Sequence, residues 1–350
     1  MGSVGAFEPV IRFACAIALV SIALSAALVV QVLRMRRRLA RVERRRDAAF
    51  ARWRPILFEE IAGGSPRIPP LAREDEDAFL LLWIQLLDGI RGAPLARLAK
   101  LGAAVGARDL ARERIGGDDA LGRVLALRTF GYLRRPEDRE EVLRWLDDPR
   151  SYLSLAAARA LVCIDPELAP DEILPRLAVR ADWPVPLFAG VLAGASSVRL
   201  SARFAALCAE LPPASLGRLL PLASLVEEQV VIGVLRPLLS PDQEPEVLAA
   251  ALRHVRSPAL LAPVRRAAVH ELWSVRVQAA AALGRVGEAR DRELLATLLR
   301  DPEWWVRYRA AQALAARPYG SPGEVLALAV SLDDRFACDI VQQALAEVRE

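Results

Sequence analysis

Three regimes of apolar and polar positions follow one another along the chain. From Phe13 to Leu33 the sequence runs FACAIALVSIALSAALVVQVL, 21 residues without a charge, interrupted only by Ser21, Ser25 and Gln31. A helix of that length spans roughly 30 Å, the thickness of a bilayer's hydrocarbon core. Residues 13–33 are therefore expected to form a transmembrane helix, with 1–12 as a short extracytoplasmic N-terminus. Beyond it Met35, Leu39, Val42, Ala49, Phe50 and Trp53 recur at helical spacing among arginines, which predicts a basic juxtamembrane helix over 34–62. Three roles are open for it: lying on the membrane, pairing with a second copy as a homodimer through residues 35–53, or serving as a solvated arm that stops translocation. Gly63, Gly64 and the PRIPP stretch Pro66–Pro70 then mark a linker over 63–73.

From residue 74 to 350 one pattern recurs. Trp273-Ser274-Val275-Arg276, with Ala279, Ala280, Ala282 and Leu283 behind it, returns 31 residues later as Trp304-Trp305-Val306-Arg307 with Ala310, Ala311, Ala313 and Leu314. Asp138-Arg139-Glu140, Leu146, Asp148-Pro149, Ala157-Ala158 and Ala160-Leu161 find the same residue types 153 positions on, the length of five such repeats. The register can be followed as a ladder: Phe130, Leu161, Leu192, Leu222, Leu252, Leu283, Leu314 and Leu345, at intervals of 30 or 31. Val306, Ala310, Ala313 and Leu314 form the i, i+4, i+7, i+8 stripe of a helix that buries one face, and its alanines allow close approach of a neighbour. Asp148-Pro149 and Asp301-Pro302 read as breakers and caps ahead of such helices, and a shorter apolar helix such as Glu293–Leu299 precedes them. Each unit is thus a helical hairpin, with an irregular first one over Asp75–Asp88 and Pro94–Val105.

These residues resemble the HEAT-repeat family, whose second helix typically reads Asp-Pro, then Val-Arg, Ala-Ala and Ala-Leu-Gly. The likeness is clearest in LLRDPEWWVRYRAAQALA (Leu298–Ala315) and ELWSVRVQAAAALGRVG (Glu271–Gly287), with LDDPRSYLSLAAARAL (Leu146–Leu161) close behind. In the middle, Trp183-Pro184-Val185-Pro186 and Leu211–Val226 lack Val-Arg, and the repeat rests on spacing. The resemblance implies an all-α fold, a right-handed α-solenoid of about eight or nine hairpins, with second helices on the concave face and a role in binding rather than reaction.

Charge divides the chain in the same way. Arg34, Arg36, Arg37, Arg38, Arg41, Arg44, Arg45 and Arg46 form a collar directly after the apolar run. Between Arg34 and Arg54 ten arginines face only Glu43 and Asp47, a net of +8 in a chain whose total is +4. With the N-terminal flank neutral, everything after Arg54 carries about −4, which argues against nucleic acid as a partner. The collar is expected to face anionic lipid headgroups. By the positive-inside rule it stays cytoplasmic, giving a single-pass protein of the bacterial inner membrane, N-terminus out and repeat domain in the cytoplasm. A cleaved signal peptide would carry its positive charge before the apolar run, the reverse of the order here. The chain has 46 arginines, one lysine (Lys100) and no asparagine, a bias in the manner of GC-rich coding, so the basic pI of about 9.1 is not itself a sign of nucleic-acid binding.

Candidate chemistry is sparse. The chain has two histidines; His270-Glu271 is a single His-Glu pair, where helical-repeat hydroxylases use several, and His254 reads as a helix-surface or helix C-terminal residue. No phosphate-binding loop, nucleophile elbow or zinc motif appears, so neither cofactor nor metal is expected, and the four dispersed cysteines suggest no disulfide framework. The acidic run Glu74–Asp77 suits the first turn of a helix, or else a lip for a partner. Nine residues before the ladder position stand Tyr152, Trp183, Trp305 and Phe336, with Trp273 and Trp304 in the adjoining slot. Together with Arg276, Arg307 and Tyr308 they could form a partner-binding rim; alternatively the aromatics wedge between hairpins and set the superhelix. The expected function is a membrane-anchored, non-enzymatic scaffold that binds a protein partner, and resemblance to other bacterial arrangements of this kind suggests an envelope polysaccharide system with a glycosyltransferase. An enzyme or enzyme subunit on the same scaffold, lyase-like or metal-dependent, is the alternative.

Overall fold

The computed structural model describes the backbone of residues 8–316 and 319–348 and their side chains, save those of 8–23, 25–27, 38, 39 and 42. Among the described residues every regular element is helical, and the chain divides into two compact units, 1–133 and 134–350. The division falls inside the expected repeat domain and not at the expected linker.

The first unit holds α1 (Glu8–Ala62), α2 (Glu76–Gly89), α3 (Ala93–Val105), α4 (Ala107–Ile115) and α5 (Ala120–Leu133). The apolar run over 13–33 lies within α1, but most of its side chains, and that of Arg38, lie outside the described residues. No helix is long and apolar enough to cross a membrane among the described residues. Arg34, Arg36, Arg37, Arg41, Arg44, Arg45 and Arg46 are exposed along the middle of α1. Its last third behaves differently from the juxtamembrane arm expected from the sequence. Ala49, Trp53 and Leu57 recur every four residues, and the latter two enter a core with Phe79, Leu80, Trp83, Ile84 and Leu98. Trp53 meets Phe79 edge to face at 4.7 Å, and the Trp83 indole donates to the Leu98 carbonyl at 2.8 Å. Gly102 is required beneath that indole, since a Cβ there would come within 2.3 Å of the ring. Arg97 closes the end of α1 by donating to the carbonyls of Glu60 and Ile61 at 3.0 and 2.7 Å. A homodimer through 35–53 could not use Ala49 or Trp53, which this core already covers.

The acidic run stands in first turns, as expected, Glu74 and Asp75 in the short 3-10 turn before α2 and Glu76 and Asp77 in α2 itself, and it also pairs across helices. Asp75 and the two residues after it start α2 without any side-chain cap. Instead Asp75, buried, pairs with Arg52 of α1 at 2.9 Å, while Arg114 of α4 grips Glu76 at 2.7 Å and Asp77 at 2.9 Å. Asp75, Glu76 and Asp77 thus clasp α1 and α4 to α2.

The second unit is a series of hairpins. Its pairs are α6 (Arg139–Leu143) with α7 (Ser151–Ile164), α8 (Ala169–Val179) with α9 (Val185–Leu192), and α10 (Ser197–Glu210) with two 3-10 turns over 213–225. There follow α11 (Glu228–Leu238) with α12 (Pro245–Arg253), α13 (Leu261–Ala267) with α14 (Trp273–Val286), α15 (Arg292–Leu298) with α16 (Trp304–Ala316), and α17 (Pro322–Ser331) with α18 (Arg335–Glu347). This series is consistent with an α-solenoid. All ladder residues from Phe130 to Leu314 are buried, and only Leu345, in the last helix, is half-buried. Consecutive second helices pack closely because their facing residues are small: a Cβ on Gly284 of α14 would meet Ala313 of α16 at 3.1 Å. The aspartates of the Asp-Pro breakers accept backbone N–H groups two residues on, Asp148 from Arg150 at 2.8 Å and Asp301 from Glu303 at 2.9 Å. They act one step outside the helix, in the turn that leads into it.

Candidate functional site

At the starts of α14, α16 and α18 the chain must turn out of a loop before its first buried residue, Val275, Val306 or Ala337. Whatever stands just ahead of that residue is left outside the stack. Here those positions hold Trp273, Trp304, Trp305 and Phe336, between 43% and 67% exposed, with Leu272 and Val269 also exposed beside Trp273. Trp304 stacks on Tyr308 one turn later (5.2 Å, 8° between planes) and meets Trp305 edge to face at 4.8 Å. The Tyr308 hydroxyl donates to the Glu347 carboxylate at 3.1 Å, which fixes the aromatic cluster to the end of α18. Gln343, Gln312 and this hydroxyl together hold the Glu347 carboxyl below its ordinary range.

The arginines expected to join this rim are committed elsewhere. Arg276 makes a two-pronged bond to Asp301, at 2.7 and 2.8 Å, and donates to the carbonyls of His270 and Glu271 at 2.8 and 2.7 Å. Arg307 repeats the arrangement one unit on, pairing with Asp334 at 3.0 Å and donating to the Asp301 carbonyl. Each ties the start of one second helix to the aspartate ahead of the next, largely out of water, so Arg276 and Arg307 are structural staples that hold neighbouring helix starts in line. They supply the alignment of the rim and none of its contact surface.

Trp183 departs from the expected rim altogether. It is fully buried, stacked on Phe188 at 3.9 Å, with its indole donating to Ser154 at 2.9 Å and Arg180 lying over the ring at 4.9 Å. Tyr152 is exposed at the start of α7, but the slots between it and α14 hold buried Trp183, Pro213 and Gln243, so the aromatics are continuous only across α14, α16 and α18. Of the two readings left open by the sequence, wedging fits Trp183 and exposure fits the others.

His270 behaves as a helix-boundary residue: its Nδ1 accepts from the Leu272 N–H at 3.1 Å. Among the described residues no group of three or more histidine, cysteine or carboxylate side chains could hold a metal. Cys163 and Cys208 are half-buried, and burial pushes both thiols up, Cys208 to about 11.

A family model described as HEAT repeats matches residues 232–347, which takes in the whole of the continuous aromatic rim. Comparison with curated proteins finds no match. Residues 232–347 are thus similar to HEAT repeats, and the regular hairpins α13 to α18 lie within that match.

Proposed function

We propose that the chain is a non-catalytic scaffold, anchored in the bacterial inner membrane by residues 13–33, whose HEAT-like repeats hold a protein partner at the cytoplasmic face. The observation that carries the binding role is the rim itself: Trp273, Trp304, Trp305 and Phe336 expose large apolar area on adjacent helix starts that Arg276 and Arg307 hold in register. Contiguous exposed aromatics of this kind supply binding anchors and are otherwise costly on a protein surface. Because the staples preform the rim, a partner would bind it with little rearrangement. The uncharged run and the exposed arginines after it support the anchor, which would confine rim and partner to one plane and raise their effective concentration. A glycosyltransferase of an envelope polysaccharide system is the setting we favour for that partner.

Affinity capture from detergent-solubilised membranes tests this reading, with the full chain and a W304A/W305A variant compared. The expected outcome is a protein captured by the wild type and lost at least about ten-fold in the variant, with thermal stability changed by less than about 1 kcal/mol. Equal capture by both chains would remove the rim from the mechanism.

A further inference from the structure

The aromatic cluster of the rim ends on a carboxylate that has no cation. Glu347 is the last residue of α18, where the helix's own partial negative charge works against a carboxylate. Three neutral donors nonetheless gather on it: the Tyr308 hydroxyl at 3.1 Å, the Gln343 amide at 3.0 Å and the Gln312 amide at 3.4 Å. Arg309 serves this group at one remove. It donates to the side-chain oxygen of Gln312 at 2.7 Å, which leaves that amide's nitrogen to face Glu347. Glu347 makes no ion pair among the described residues, whereas Asp301 and Asp334, the aspartates ahead of these helices, are taken by Arg276 and Arg307. Three donors fill most of a carboxylate's roughly four lone-pair sites and neutralise none of its charge.

The exposed rings are in contact with this charge. Tyr308, which bonds the carboxylate, stacks on Trp304 at 5.2 Å, and Trp304 meets Trp305 at 4.8 Å, so indole surface about half exposed begins one ring away from Glu347. The faces of these rings are electronegative and attract cations, the indole most of all. A guanidinium is flat and weakly hydrated, so it can give one N–H to the open lone pair while its plane rests on a ring. The compact, strongly hydrated ammonium of lysine is a poorer fit to such a surface.

Building on the rim as the partner-binding surface, we propose that its Trp304–Tyr308–Glu347 corner receives an arginine side chain from an exposed segment of the partner protein, the guanidinium lying on indole and donating to Glu347. Charge complementarity selects this occupant. A leucine or proline anchor would cover the indoles equally well, but it would draw Glu347 out of water with its charge unpaired, and an acidic segment would be repelled.

Two capped pentapeptides serve as probes, one with arginine at the centre of four glycines and one with citrulline, its neutral isostere, in the same place. Full-length protein in micelles of an uncharged detergent, labelled with 5-fluorotryptophan, is titrated with each and followed by fluorine-19 NMR, the signals being assigned from single Trp→Phe variants. With the arginine peptide the Trp304 and Trp305 signals should shift and saturate, while those of the buried Trp53, Trp83 and Trp183 stay in place. The citrulline peptide should bind at least about five-fold more weakly. Glu347→Gln keeps the size of the side chain and an acceptor oxygen and removes the charge, so it should abolish the difference between the two peptides. Equal affinity for both peptides, an unchanged preference in Glu347→Gln, or no saturable shift at Trp304 and Trp305 would overturn the arginine contact. Capture from solubilised membranes separates that failure from failure of the rim itself. Glu347→Gln should reduce capture at least about three-fold; full capture by Glu347→Gln with loss in W304A/W305A would leave the rim as the binding surface and remove the arginine from it. Undiminished capture by W304A/W305A would remove both.

Discussion

Trp183 and Trp305 hold the same slot of the repeat, nine residues ahead of Leu192 and Leu314, and meet opposite fates. Trp305 is 54% exposed, whereas Trp183 has no exposed surface. The regular region around Trp305 has an arginine two residues on, bound to Asp334, and a 13-residue helix behind it. The irregular region around Trp183 has Val185 in the arginine's place, between Pro184 and Pro186, and an eight-residue α9; its arginine stands ahead of the indole, where Arg180 pairs with Asp182 and donates to the carbonyls of Leu146 and Asp148 at 2.7 and 2.8 Å. The Trp183 indole stacks on Phe188 of α9 and donates to Ser154 of α7, so it is buried between hairpins. At Trp305 the arginine aligns the helix starts and the aromatic stays outside; at Trp183 the arginine lies over the ring and the aromatic is buried.

The sharpest break of that contrast is Trp183→Ala. It should cost about 3–5 kcal/mol by emptying a packed site, against about 0.5 kcal/mol for Trp305→Ala, measured by denaturant unfolding of each variant. Comparable losses at the two positions would dissolve the distinction. Next is the staple. Asp301→Ala strands the Arg276 guanidinium in a largely buried place and removes the acceptor for the Glu303 N–H, so a loss of about 3 kcal/mol is expected. Arg290→Ala breaks the far more exposed pair with Glu288 and should cost under about 1 kcal/mol. A pH-dependent effect lies where the irregular middle meets the regular repeats, at His254. Its folded pKa of about 4, set by burial and by Arg256, Arg253 and Arg285, lies below the ordinary 6.5. The unfolded chain therefore takes up the proton first, and stability is full above about pH 6.5 and declines as the pH falls toward 4. With its partial exposure discounted the decline is about 1 kcal/mol, and His254→Gln should remove it from the pH profile of the melting temperature.

How much of this was legible in the sequence varies by type of interaction. The ladder residues were readable because burial of one helical stripe is a local matter of period and residue size, and the structure buries Phe130 through Leu314 as that period requires. The first hairpin, expected over 75–88 and 94–105, appears as α2 and α3. Partners far apart in the chain were not readable. Nothing local joins Arg52 to Asp75, Arg276 to Asp301 or Arg307 to Asp334, so those charges read as a collar, a cap and a docking surface before their pairing was seen. Trp53 and Leu57 were masked by the arginines around them, which made a core-forming helix look like a solvated arm. The rim aromatics were found by register alone, but register fixes the slot and not the direction; Pro184 and Pro186, on either side of the place where the regular repeats carry arginine, were the available sign that the Trp183 slot was built differently.

The continuous helix α1 has a mechanical side. Its residues 49–57 are locked into the first unit's core, while the apolar run that we assign to the bilayer ends at Leu33 in the same helix. Among the described residues the helix runs unbroken between the two, so with that run in the bilayer, as we propose, the exposed arginine-bearing stretch would work as a ruler and a crank at once. At about 1.5 Å and 100° per residue it would set both the height of the first unit above the lipid and the direction it faces. Losing or gaining one residue there would turn that unit by more than a quarter of a circle while barely moving it outward.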